Sequence, residues 1–165
     1  MSLFNRRTVL MGGGLATLSA CGFEPVYGTG KASSAIIGKI EIQEQNGRSA
    51  FELRDRLQNR LGVADANAPY FLIYSLEIEE DDLVVTSEAE ITRYNLAATA
   101  EYKVFERGSN KVVFTDTVTT TTSYSATSET YPTRVAERGA NVRLSHSIAD
   151  QMFTRLSITA KDWLA

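Results

Sequence analysis

From residue 36 to 43 the chain alternates, with Ile36, Gly38, Ile40 and Ile42 on one side and Ile37, Lys39, Glu41 and Gln43 on the other. A period of two sends successive side chains to opposite faces and predicts a half-buried strand, which Asn46-Gly47 ends. Ser49 and Glu52 then have the spacing of a capping box. Ala50, Leu53, Leu57 and Leu61 recur on one helical face opposite Asp55 and Asn59, and Gly62 is the stop. Pro69 opens a second strand in which Tyr70, Leu72, Tyr74, Leu76 and Ile78 share a face, and the acidic run at 79–82 predicts a turn. A longer strand from 91 to 105 carries Tyr94, Leu96, Ala98, Ala100, Tyr102 and Val104 on one side and Arg93, Asn95, Thr99, Glu101 and Lys103 on the other. Residues 107–110 make a hairpin loop. The returning strand has Val112, Phe114 and Val118, then threonines at 119–122, whose β-branched side chains favour extended backbone without requiring burial. Residues 123–131 read as a polar loop. From Pro132 the period is helical, with Val135, Val142, Ala149 and Leu156 spaced by seven, Ile148, Met152 and Phe153 beside them, and Arg143, Asp150 and Thr154 opposite.

The order β-α-β-β-β-α supplies one apolar sheet face and two amphipathic helices to bury it. The expected fold is α+β and two-layered, a four-stranded sheet covered on one face by two helices, over residues 35–165.

Residues 1–20 differ from everything that follows. Arg6 and Arg7 precede an apolar stretch from 9 to 18, and no acid is present. About twenty apolar residues are needed to span a bilayer, whereas a charged start and a shorter apolar stretch are the design of an export signal. The stretch ends in Leu18-Ser19-Ala20-Cys21, the lipobox pattern, in which a peptidase cleaves before an acylated thiol. The expected organisation is a lipoprotein signal peptide at 1–20, a lipidated tether at 21–34 and one folded domain beyond. A Sec signal that carries two arginines is the simpler route, and the sequence from Asn5 to Leu10 also resembles a twin-arginine signal. Either route leads out of the cytoplasm. Gly22 stands where an Asp would hold a lipoprotein in the inner membrane, so the periplasmic face of the outer membrane is the expected address.

Charge and composition narrow the chemistry. Seventeen Lys plus Arg against twenty Asp plus Glu give −3; removal of Arg6 and Arg7 with the signal leaves fifteen against twenty, near −5. That balance argues against a nucleic-acid partner, which requires a basic surface to displace counterions. The single Cys excludes an internal disulfide and a thiolate zinc site. His146 is the one histidine and reads as a partly exposed helix residue. The sequence has no nucleophile elbow, phosphate loop or paired-histidine spacing. The acidic run at 79–82 offers oxygen ligands but lacks the spacing of a calcium loop, so a solvated turn is the simpler interpretation. No catalytic residue, metal or cofactor is expected apart from the covalent lipid, palmitate among its acyl chains.

Two stretches resemble one family. Cys21-Gly22-Phe23-Glu24-Pro25-Val26-Tyr27-Gly28 resembles the opening of mature LptE lipoproteins of the alphaproteobacterial type. Tyr131-Pro132-Thr133-Arg134-Val135-Ala136-Glu137-Arg138-Gly139-Ala140, with Ser123-Tyr124 before it and Arg143 and Leu156 after it, resembles that family's last helix. Pro132 and Gly139 depart from the family's Ala and Asp. The resemblance implies a non-enzymatic role in lipopolysaccharide export, with the protein plugging an LptD-like outer-membrane β-barrel, helping it assemble and contacting lipopolysaccharide. A polar exterior suits a barrel lumen, and the threonine run and the Arg93-to-Lys103 strand face supply one. Topology puts Arg93 and Arg134 near one end of the sheet, as candidate contacts for lipid phosphates, although Glu79, Glu80, Asp81, Asp82, Glu88 and Glu90 share that end and local salt bridges are the simpler reading. The alternative, from a different class, is a periplasmic lipoprotein of envelope maintenance that binds or modifies a soluble ligand, for which a deep apolar pocket is expected.

Overall fold

The alternating and helical stretches settle into six elements in the computed structural model, which describes residues 35–83, 92–127 and 129–164. The expected signal peptide, Cys21, the expected tether to residue 34 and residues 84–91 lie outside the described residues. The elements are β1 (Ile40–Ile42), α1 (Arg48–Leu61), β2 (Tyr70–Leu83), β3 (Thr92–Glu106), β4 (Val112–Ala126) and α2 (Thr130–Trp163). The sheet order is β1-β2-β3-β4. β1 is parallel to β2, with Ile40 opposite Tyr70, and α1 provides the return that parallel neighbours require; the other pairs are antiparallel. The expected α+β architecture is therefore the observed one.

Burial follows the alternation. Leu72, Val104 and Phe114 form one cross-strand row, and Tyr70, Tyr74, Ala98, Ala100, Tyr102 and Val118 extend the same face inward. Against it α1 packs Ala50, Leu53, Leu57 and Leu61, and α2 packs Ala140, Leu144, Ile148, Met152 and Leu156. Each fully buried aliphatic side chain contributes roughly 1.5–3 kcal/mol. The Tyr74 hydroxyl donates to the Ala50 carbonyl at 2.8 Å, tying the middle of β2 to the first turn of α1. Burial pushes that phenol up to about 12 despite the opposing charge of Arg54.

Element lengths shape the rest. Strands of 15 residues in β3 and β4 extend about 50 Å, and the 34 residues of α2 span about 51 Å, but the 14 residues of α1 span only about 21 Å. Beyond Tyr74 the inner face of β2 leaves the shelter of α1, and Leu76 and Ile78 are only half-buried.

Five local expectations are corrected. The first strand is three residues, not eight, because Gly38 takes φ +74 and its N–H turns to the Leu61 carbonyl at 2.8 Å; Ile36 is buried from the turn before it. Helix α1 begins at Arg48 behind Gly47 with no side-chain cap, so Ser49 and Glu52 form no capping box. The acidic residues at 79–82 lie within β2, paired opposite Ala97, Leu96, Asn95 and Tyr94, and residues 123–126 continue β4 with Tyr124 and Ala126 buried. Long antiparallel pairing supplies the backbone hydrogen bonds that overrode the polar composition of both segments. In α2 the buried stripe runs from Ala140, leaving Val135 half exposed at 50%.

Among the described residues no helix lies over the other face of the sheet. It presents Thr115, Thr117, Thr119, Thr121, Ser123 and Ser125 along β4 and Glu77, Glu79 and Asp81 along β2. Phe71 and Phe105, stacked at 5.0 Å, close its lower end beneath the Arg107 guanidinium.

Gly62 ends α1 at φ 76 and ψ 168, a conformation open to glycine alone, and an added Cβ would meet Ile37 Cγ2 at 3.3 Å. Gly62→Ala is expected to lower unfolding free energy by about 1–3 kcal/mol in urea titrations. Gly108→Ala, where nothing lies within 4 Å of a new Cβ, is expected to change it by less than about 0.5 kcal/mol.

Candidate functional site

Both helices return from the top of a strand, so they run parallel, side by side. Their contact is polar and centred on Asp150 of α2. Arg56 grips its carboxylate with two hydrogen bonds, Nε to Oδ1 at 3.1 Å and Nη2 to Oδ2 at 2.9 Å, and Arg60 Nε adds a third at 2.9 Å. Arg60 also lies over the Phe153 ring, 5.4 Å from its centre. Burial works against ionisation of Asp150, but the hydrogen bonds and charges of the two guanidinium groups outweigh it and hold the carboxyl below the usual carboxylate range. One turn nearer the N-termini, His146 is 41% exposed with Nε2 3.8 Å from Glu52.

Helix α2 starts well before α1 does, and its first turns overhang the notch left by the shorter helix. A groove of about 480 Å³ opens there, lined by Arg48, Ser49 and Glu52 from the start of α1 and by Arg134, Glu137 and Arg138, with Asn141 and Val142, from α2. Among the described residues none of these three arginines has an ion-pair partner within 4 Å, so their guanidinium groups keep their hydrogen-bonding capacity. The uncapped N-terminus of α1 adds unsatisfied backbone N–H groups to the same end. Planar five-donor groups converging with helix N-termini favour a phosphorylated or otherwise anionic ligand.

The predicted arginines are placed apart. Arg134 lies in the groove, whereas Arg93 is exposed on the opposite, open face of the sheet, across from Ser125 and next in its row to Asn95. Arg48 and Arg138 were not singled out. The spacing of Arg134 and Arg138 already places both on one helix face, but Arg48 joins them only through tertiary packing. Cys21 lies outside the described residues.

The acidic run does not act as one cluster. Glu79 and Asp81 point to the open face, while Glu80 points inward and accepts the Tyr124 hydroxyl at 3.0 Å. Tyr124 stacks on Tyr94 at 5.1 Å, and its phenol is driven far above its ordinary value by burial first, then by the hydrogen bond and charge of Glu80 and the charge of Glu137. Among the described residues no three His, Cys, Asp or Glu side chains come together to hold a metal ion.

The architecture is thus a one-sided sheet under two parallel helices, with an arginine-lined notch where the shorter helix begins. The model of the LptE family, described as lipopolysaccharide-assembly, matches residues 38–156, and the chain belongs to that family. It is a family of assembly proteins without enzymatic activity. Among curated protein sequences no relative matches the chain. Solved structures share the fold. A candidate lipoprotein of Caulobacter crescentus superposes with a TM-score of 0.64 at 17% identity, covering 79% of this chain and 96% of its own. A minor lipoprotein from Acinetobacter baumannii gives 0.53 at 18% identity over 75% and 94%, and the rare lipoprotein B of Shewanella oneidensis gives 0.53 at 14% over 73% and 93%.

The carboxyl of Asp150 titrates lower in the folded chain than in the unfolded one. Its stabilisation is thus fully present above the ordinary carboxylate range near pH 4 and is lost as pH falls through the folded value. With the side chain 34% exposed, Asp150→Asn is expected to cost about 1 kcal/mol at pH 7. Denaturant titrations at several pH values check this, since the deficit relative to wild type should shrink below about pH 4.

Proposed function

We propose that this chain is the lipid-anchored plug of an LptD-like outer-membrane β-barrel and contacts lipopolysaccharide on its way to the outer leaflet. Cys21 carries the acyl chains, and each buried methylene contributes about 0.8 kcal/mol, so two or three chains hold the protein at the periplasmic face of the membrane. This agrees with the finding that no described helix is long and apolar enough to cross a membrane. Two of the structural relatives are lipoproteins by name, which supports the same assignment.

The observation that carries the barrel partnership is the uncovered sheet face. Along β4 its outward row from 115 to 125 is made wholly of hydroxyl side chains. A hydroxyl both donates and accepts, so the lower part of the row, Thr115, Thr117 and Thr119, matches a polar lumen wall without needing charges in fixed places. The groove formed by Arg48, Arg134 and Arg138 takes lipid phosphates, and Arg93 makes a separate contact on the open face. A periplasmic receptor for a soluble ligand would carry a deep apolar pocket between sheet and helices. That layer is filled by Leu53, Leu57, Leu72, Tyr102, Leu144 and Met152, none more than 1% exposed, and this favours the plug.

The mature protein is expected to co-purify with a large β-barrel from gently solubilised outer membranes. Recovery as a free monomer would overturn the proposal. Cys21→Ala should move the protein to the soluble periplasmic fraction. Replacing Arg48, Arg134 and Arg138 together by Ala should weaken lipopolysaccharide binding about tenfold or more, measured on immobilised ligand, with a reduced dependence on salt. Unchanged binding would remove the groove from the mechanism.

A further inference from the structure

The open face of the sheet is not uniformly flat. Near the top of the β2, β3 and β4 strands a hollow of about 470 Å³ is lined by Asp81, Asn95, Ala97, Thr121 and Ser123. The register explains it. Asp81, Asn95 and Ser123 stand in one cross-strand row, and in the next row Ala97 separates Glu79 from Thr121. A methyl group between longer neighbours leaves a dip with polar side chains on two sides. Among the described residues, none of the Asp81, Asn95, Thr121 and Ser123 side chains is engaged in a hydrogen bond with another. One row further on, by contrast, the Thr99 and Thr119 hydroxyls meet at 3.3 Å.

The donor set selects a ligand class. A carboxylate only accepts, an amide donates and accepts, and two hydroxyls do either, so the hollow offers both kinds of hydrogen bond within the span of two rows. The Asp81 charge repels phosphates and carboxylates. Asp81 is the one carboxylate in the lining, with Glu79 at its edge, too few for a hard cation, which seeks several anionic oxygens. One methyl is too small a floor for an apolar ligand. Adjacent hydroxyls on a ring, with a C–H face between them, fit all three conditions. We infer that this hollow binds a neutral saccharide unit, with Asp81 accepting from neighbouring hydroxyls, Asn95 bridging donor and acceptor, and the Ala97 methyl meeting the ring. Assigning that unit to the glycan of lipopolysaccharide rests on the proposed function.

The test uses the full mature protein in detergent and core oligosaccharide freed of lipid and phosphate. Calorimetric titration should show saturable binding, and amide resonances of Asn95, Ala97, Thr121 and Ser123 should shift. Ala97→Leu fills the dip and should weaken binding tenfold or more. Ser123→Ala, a milder change, should weaken it severalfold, and unchanged circular dichroism would show that both variants fold. No binding of the oligosaccharide by wild type, or equal binding by wild type and both variants, overturns the inference. If intact lipopolysaccharide still binds and is lost only in the triple arginine variant, the saccharide site is wrong while the export role stands. If the oligosaccharide binds as expected but no barrel co-purifies, the plug is wrong while the saccharide site stands.

Discussion

Everything in this molecule depends on matching two lengths. A three-stranded antiparallel array about 50 Å long has one apolar face, and only an element of similar length can bury it. Helix α2 is that element. Its stripe from Ala140 to Ala160 lies against the inward row of β3 and β4, and Trp163 meets Tyr70 edge-on at 5.5 Å to close the far end. Helix α1, less than half as long, covers the remainder of the core and stops. The notch beside it is a geometric remainder, and the arginine-lined groove occupies it.

The Asp150 clasp keeps the two helices in register. Three hydrogen bonds from two guanidinium groups fix where α1 sits along α2, and so fix how far the first turns of α2 project beyond it. The distance between Arg48 and the pair Arg134 and Arg138 is thereby set from about two turns away along α1 and more than three along α2. A binding groove made from two separate elements needs such a fixed point, because side chains as long as arginine otherwise spread over many rotamers at a cost in entropy.

Much of this was legible in the sequence wherever local periodicity and tertiary burial agreed. Ala50, Leu53, Leu57 and Leu61, and the inward rows of β2 and β3, were visible because a period of 3.6 or 2 needs no information from elsewhere in the chain. The misplaced boundaries share a cause. The acids at 79–82 and the residues at 123–126 look like turns by composition, but strands that already pair for ten residues continue pairing, and their outward side chains meet water whatever their charge. Glu80 adds a specific reason, since its inward carboxylate is satisfied by Tyr124, a partner 44 positions away. In the same way Arg134 could be picked out as a basic residue at one end of the sheet, while Arg48 became part of the site only because α1 starts where it does. Arg93 was grouped with Arg134 by topology alone; side-chain alternation puts it on the other face.

The parallel course of the helices also gives the domain an electrical direction. Peptide dipoles in a helix add to about half a positive charge at the N-terminus and half a negative one at the C-terminus. With both helices aligned, and a largely antiparallel sheet whose strand dipoles mostly cancel, these ends reinforce one another. The first described residues lie beside the C-terminus of α1, where the Gly38 N–H meets the Leu61 carbonyl, at the opposite end from the helix N-termini. The positive pole therefore falls at the end that carries the arginine-lined groove, a bias set by backbone alone that would survive replacement of every charged side chain.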